Sequence, residues 1–285
     1  MSAGKTTLPD ARGSATAPRS PDRLAWPRAL WRLLRLVEHL LTGTLVTLAV
    51  ARRRPDGSYR YRPDVVRWWH ERACRILGIR VAVTGEPPGD SALLVANHVS
   101  WLDVPVLGSL GPTAFLSKAE VRRWPLIGWL AATAGTQFIA RGSGEASAVG
   151  ARIGNHLVDH GCLALFPEGT TTDGGTVKPF YPRLLAAASA SGVPVVPVAL
   201  RYDRAGALDP IAPFVGDETI LSHLGRVLRT RELFVEVAFA APLDPGRFDR
   251  RGLATRARAA IVEALDRLAA AAADRAGRVN ASAGD

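Results

Sequence analysis

Three short stretches deliver reactive side chains where an apolar run ends. In LLVANHVSWLD, Leu93 to Asp103, four apolar residues run into Asn97, and His98 and Asp103 follow with Ser100 and Trp101 between them. In LALFPEGTTTDG, Leu163 to Gly174, an apolar run reaches Pro167, Glu168, Gly169 and Thr170. In GTQFIAR, Arg141 closes a short apolar segment. A carboxylate on one ring nitrogen of a histidine fixes its tautomer and stabilises the imidazolium, leaving the other nitrogen to take a proton. His98 with Asp103 suits that role. Ser100 and Asp103 also suit a helix N-terminus, with Ser100 as the cap and Asp103 as the carboxylate of a near capping box; that reading leaves Asn97 and His98 without a purpose. No serine or cysteine stands in a G-x-S-x-G setting, so the proton to be removed belongs to a substrate hydroxyl. Glycine beside Glu168 lets backbone approach a ligand closely, and Arg141 suits a phosphate, which it can grip with two parallel hydrogen bonds.

The elements that must hold these groups alternate. IRVAVTG, ALLVAN, TAFLSK, TQFIA, CLALF, VPVVPVAL and LFVEVAFA read as strands; DVPVLGSL, RRWPLIGWLAATAG, Ser147 to His160, PRLLAAASASG and Gly252 to about Ala273 read as helices. Such interleaving specifies an α/β fold with a mixed, mostly parallel sheet flanked by helices. Functional groups then collect beyond the carboxyl ends of the strands, where the three stretches lie.

Ahead of this region the sequence changes character. Residues 1–23 are small, polar and proline-rich, the composition of a disordered tail. RALWRLLRLVEHLLTGTLVTLAVARRR then carries Leu30, Leu33, Leu34, Val37, Leu40, Leu41, Leu45 and Leu48 on one helical stripe, with Arg28, Arg32, Arg35 and His39 opposite. Only Leu40 to Ala51 is free of charge, short of the roughly 20 apolar residues a membrane span requires. The pattern fits a helix lying in the bilayer interface with its arginines on lipid phosphates, or a tilted span. Asp64 to Gly78 forms a second amphipathic helix with Trp68 and Trp69 on its apolar side. The expected organisation is a tail at 1–23, membrane-associating helices at 24–78, a catalytic domain at 79–275 and a disordered tail at 276–285.

Lys and Arg total 36 against 26 Asp and Glu, a formal net charge of +10. That balance suits nucleic acid, an anionic membrane face or a phosphorylated substrate. Tryptophans set among leucines rather than among basic residues favour lipid over nucleic acid. Two cysteines, Cys74 and Cys162, exclude a disulfide scaffold by number, a four-ligand zinc site has no spacing to support it, and a reducing compartment is expected.

Taken in order, NHVSWLD, GTQFIAR, FPEGT and VPVVPVAL resemble the four motif blocks of the glycerolipid acyltransferase family, which includes 1-acylglycerol-3-phosphate O-acyltransferases. The resemblance covers about Ile76 to Leu200. It implies that His98 and Asp103 are catalytic, that Lys118, Arg141, Glu168, Gly169 and Thr170 bind substrate, and that no metal or cofactor takes part. It implies an acyl group passed from acyl-CoA or acyl carrier protein to a lysophospholipid hydroxyl, at the cytoplasmic face of the cell membrane. Lysophosphatidic acid is the family's default acceptor. One departure bears on it: many members carry arginine after the third block's threonine, and here Thr171 follows. A bacterial subgroup with a similar TTDG continuation acylates other lysolipids such as lyso-ornithine lipid, which is the alternative acceptor. A hydrolase that activates water with the same base, and a non-catalytic membrane-binding protein, are the readings from other classes.

Overall fold

A computed structural model describes residues 22–50, 52–53, 59–60, 62–139, 153–157 and 161–282. Residues 1–21 of the expected tail at 1–23 and the ends of the expected helix at 147–160 lie outside the described residues, as does Arg141.

The sheet has eight strands: β1 (Ile79–Thr84), β2 (Leu93–Ala96), β3 (Thr113–Lys118), β4 (Gln137–Ile139), β5 (Cys162–Leu165), β6 (Val195–Arg204), β7 (Ala207–Leu208) and β8 (Leu233–Phe239). Their order is β1-β8-β6-β2-β5-β3-β4, with β7 paired to the end of β6. The five strands β6, β2, β5, β3 and β4 run parallel; β8 is antiparallel to β6 and parallel to β1. The mixed, mostly parallel α/β sheet is therefore as the alternation of elements specifies.

Helices cover both faces, which is why β2 and β5 are buried along their whole length. One core places Leu94, Ala96, Val198 and Tyr202 against α2 (Pro63–Leu77), α3 (Asp103–Leu110) and α6 (Ile220–Arg229). The other places Leu93, Val95 and Val195 against α5 (Ala186–Ser191) and α7 (Arg250–Ser282). Alternate residues of one strand thus feed opposite cores. α2 ends at Gly78, whose φ of +74° is a left-handed cap. It crosses α3 so closely that a Cβ on Gly108 would lie 2.3 Å from His70 Cδ2.

Several elements differ from the sequence expectation. RRWPLIGWLAATAG is not one helix: a 3₁₀ segment, Ala119–Arg123, and α4 (Ile127–Thr133) are separated by a tight turn at Leu126. Pro125 cannot extend a helix, and the fold-back is so close that a Cβ on Gly128 would meet Arg122 O at 2.2 Å. The last helix continues to Ser282, past Ala273 and through most of the stretch expected as a tail. α6 and β7 are additional elements between β6 and β8.

The N-terminal helix α1 spans Ala25–Val50. Its leucine stripe faces outward, with Leu30, Leu34, Leu41, Leu45 and Leu48 among the most exposed apolar side chains. Its polar side faces the protein. Arg32 is 9% exposed and donates to the carbonyls of Thr230 (2.6 Å) and Arg231 (2.9 Å), while Arg28 donates to Arg229 O at 2.6 Å. His39 lies stacked on Trp69 of α2, with Arg72 3.0 Å from its Nδ1. These two arginines cap the carbonyl end of α6 rather than standing free for lipid phosphate. Among the described residues, no helix is long and apolar enough to cross a membrane.

Candidate active site

β2 ends at Ala96, and Asn97 fastens the strand end to β6. Its side-chain amide donates to Leu200 O (3.0 Å) and its carbonyl oxygen accepts from Leu200 N (2.8 Å). The side chain thus extends a backbone ladder by one residue and aims the next, His98, out of the sheet. Asp103, the first residue of α3, meets it there, with Oδ2 2.8 Å from His98 Nδ1.

Asp103 has no solvent exposure, yet its charge is well compensated. Oδ2 also accepts the backbone N–H of Val99 (2.8 Å) and Ser100 (3.0 Å), and Oδ1 accepts the Tyr202 hydroxyl (2.9 Å). Four donors and a helix N-terminus surround this buried carboxylate. Burial, and then the Asp103 charge, push the Tyr202 phenol well above its ordinary pKa, so it remains a donor. The half-capping-box expectation is met from one side only. Asp103 takes the Ser100 N–H, while Ser100 Oγ is buried with no partner among the described residues.

His98 is held on three sides. Asp103 fixes Nδ1, Phe166 stacks on the ring with centroids 4.0 Å apart, and Glu168 Oε1 accepts the His98 backbone N–H at 2.8 Å. The other Glu168 oxygen accepts the Lys178 N–H at 2.7 Å. Glu168 is 3% exposed, and burial raises its pKa while those two N–H groups pull it down. Both of its oxygens therefore serve backbone, joining the FPEGT turn to the NHVSWLD turn. Gly169 makes this turn possible with a φ of +68°. Thr172 N donates to His98 O at 2.8 Å, a second strut between the two loops. Thr171 turns its hydroxyl onto Phe214 O, and Phe214 N donates to Val99 O at 3.0 Å.

Of the residues singled out in the sequence, His98, Asp103, Glu168 and Gly169 converge at the carboxyl ends of β2 and β5. Thr170 is exposed beside them, and Lys118 is exposed at the end of β3, two strands from β2. Arg141 lies outside the described residues. Tyr202, Phe166 and the amide of Asn97 were not foreseen as parts of the site. Tyr202 follows VPVVPVAL by one residue, and only its distance from Asp103 in space identifies it. Among the described residues there is no cluster of histidine, cysteine and carboxylates able to hold a metal.

This arrangement fixes one ring nitrogen of His98 on a carboxylate and leaves the other open at a loop mouth, a geometry that suits a general base. Comparison with known proteins gives the family and the fold. The acyltransferase family model matches residues 80–201. A lyso-ornithine lipid O-acyltransferase of Pseudomonas aeruginosa is 46% identical over 235 residues, 82% of this chain and 91% of that protein. A 1-acyl-sn-glycerol-3-phosphate acyltransferase of Neisseria gonorrhoeae is 29% identical over 176 residues, 61% of this chain and 69% of that protein. The fold matches the crystal structure of a 1-acyl-sn-glycerophosphate acyltransferase from Thermotoga maritima with a TM-score of 0.64 at 22% identity, covering 86% of this chain and 95% of that one.

Proposed function

The chain belongs to the acyltransferase family, and we propose that it transfers a fatty acyl group from a thioester to the hydroxyl of a lyso-ornithine lipid. The observation that carries the chemistry is the His98–Asp103 pair, with its carboxylate fully buried and its imidazole at a loop mouth. His98 Nε2 takes the hydroxyl proton as that oxygen bonds to the thioester carbonyl carbon. The tetrahedral intermediate collapses, the C–S bond breaks, and the thiol leaves with the proton returned to it. Thioesters are already activated, so a base, positioning and charge stabilisation suffice. Glu168 contributes by holding the His98 backbone; Thr170, Lys118 and Arg141 are the candidates for the substrate's polar groups.

The acceptor differs from the one the motif blocks put first. Lysophosphatidic acid is the default of the wider family, but 46% identity to a lyso-ornithine lipid acyltransferase outweighs 29% to a lysophosphatidate enzyme. Thr171 supports the same choice. Where many phosphate-binding members carry arginine, this chain has a hydroxyl committed to Phe214 O, and no cation. An ornithine head group offers a carboxylate and an amine instead of a phosphate monoester. The outward leucines of α1, in a region we assign with α2 to membrane association, would set the loop mouth at a cytoplasmic bilayer surface where lysolipid and acyl-CoA or acyl carrier protein both arrive.

A competition assay on purified protein, with both lysolipids and one acyl thioester, tests the acceptor. Acylated ornithine lipid should form with the higher kcat/KM. A higher kcat/KM for lysophosphatidic acid would overturn the choice and restore the family default.

A further inference from the structure

Trp101 stands between His98 and Asp103, and its indole reaches α6. Its Nε1–H donates to Nδ1 of His223 at 2.9 Å, across 122 residues of chain. An indole nitrogen can only donate, so Nδ1 of His223 is unprotonated and the ring proton sits on Nε2. Nε2 is 3.1 Å from Ile211 O and 3.2 Å from Ala212 O, both acceptors. His223 is 0% exposed, and burial, followed by the Arg226 charge, holds its pKa below the ordinary imidazole range. The ring is a neutral relay with both nitrogens used, boxed edge-on by Trp101 and Phe214.

The helix that carries His223 is fixed at both ends. Thr219 Oγ1 accepts Ser222 N at 3.2 Å to cap the start of α6, and Arg28 and Arg32 of α1 grip the carbonyls at its end. The segment His223 bonds to is itself tied to the loops of the site, through Phe214 N to Val99 O and Thr171 Oγ1 to Phe214 O. A rigid element therefore reaches the turn between base and carboxylate at its most central side chain.

We infer that His223 is a positioning residue for acyl transfer: by accepting the Trp101 indole N–H it sets the turn that brings His98 onto Asp103. This rests on the assignment of His98 and Asp103 as the catalytic pair. Misplacement of a base by even a fraction of an ångström slows proton transfer without changing how the thioester binds. The two bonds of His223 can be separated by substitution. His223→Asn keeps an acceptor near the place of Nδ1 and loses the Nε2 donor; His223→Gln keeps a donor near Nε2 and loses the acceptor. Trp101→Phe removes the indole donor and keeps most of the ring.

The test measures kcat, KM for the acyl thioester and Tm for these three variants and for Trp101→Phe/His223→Gln. His223→Gln and Trp101→Phe should each lower kcat roughly tenfold, with KM within about twofold. The double variant should be no slower than the slower single, because both remove the same bond. His223→Asn should keep kcat within about threefold even where its Tm drops. Unchanged kcat in Trp101→Phe, losses that multiply in the double variant, or an Asn variant as slow as the Gln variant at equal Tm would overturn the inference. Should the wild type release thiol without acylating any lysolipid, the functional reading fails instead. The Trp101 indole N–H resonance, identified by its loss in Trp101→Phe, then decides the contact alone: it shifts in His223→Gln and holds in His223→Asn, and an unmoved signal in His223→Gln overturns the inference.

Discussion

The turn from Asn97 to Asp103 and the helix α1 both bury charge, and they meet water in opposite ways. In the turn, Asp103 is fully enclosed, four donors surround it, and the surrounding apolar side chains point inward. In α1 the arginine and histidine point inward, with His39 3% exposed, while Leu45 is 68% exposed. In the first, the carboxylate has its donors within the protein. The second has Arg28 and Arg32 held by protein carbonyls and its apolar half exposed to water, the pattern of a face suited to another apolar phase. On the proposed reading, chemistry and location lie on separate surfaces, and each can be disturbed without the other.

The sharpest break is at the base. His98→Ala should lower the transfer rate about 10²–10⁴-fold with membrane recovery intact and stability down by only about 1 kcal/mol, the cost of one lost donor to Asp103; thiol release, melting and a sedimentation assay check these. The complementary break leaves chemistry alone. Leu34→Glu/Leu41→Glu/Leu45→Glu should move the protein from the membrane pellet to the supernatant, each lost leucine forfeiting about 1.5 kcal/mol or more of apolar burial, while turnover on a detergent-dispersed short-chain acceptor is retained. Point changes serve better here than deletion of residues 1–60, since removing Arg28 and Arg32 would uncover the end of α6.

A third prediction concerns how α1 and α2 are seated. Burial lowers the His70 pKa to about 4, and burial, Arg72 and His70 lower that of His39 to about 4. Both rings are neutral when folded and take up protons in the unfolded chain below the usual imidazole pKa of about 6.5. Their stabilisation is therefore full above that pH and is lost as the pH falls towards 4, on the order of 2 kcal/mol for each by pH 5. Denaturant unfolding at pH 7.5 and 5.0 should show the fall, and His70→Gln should remove about half of it. The smallest effect belongs to Tyr202→Phe. Losing one of four donors to Asp103 should cost about 1 kcal/mol of stability and a few-fold in kcat, read from melting and steady-state rates on the same preparation.

What the sequence discloses follows from how local the determining contacts are. His98, Asp103 and Glu168 are legible because each pairs within its own motif or follows a buried strand, and because motif order is preserved along the chain. Tyr202 and His223 are not, since their partners lie 99 and 122 residues away and a neutral hydrogen-bonded side chain leaves no pattern in its neighbours. The strands were readable from their apolar runs, whereas the break in RRWPLIGWLAATAG depended on a single proline and on a backbone contact at Gly128. For α1 the leucine period correctly marks a stripe. Periodicity cannot say which side turns inward, and the carbonyl end of α6, absent from any local window, decides it.

The arginine clamp also has a place in time. Arg32 is separated from its acceptor Thr230 by 198 residues. At a synthesis rate of about 5–20 residues per second, α1 leaves the ribosome on the order of ten to forty seconds before the carbonyls it will cap exist. During that interval the leucine face can find a bilayer, but the arginines have no protein to hold. The nascent chain would then be tethered first and closed later, with the last strand and α6 arriving at a helix already in position. With α1 on a membrane as proposed, assembly of the domain would be an event at a surface rather than in solution, and the order in which the chain is made would set the order in which its two halves meet.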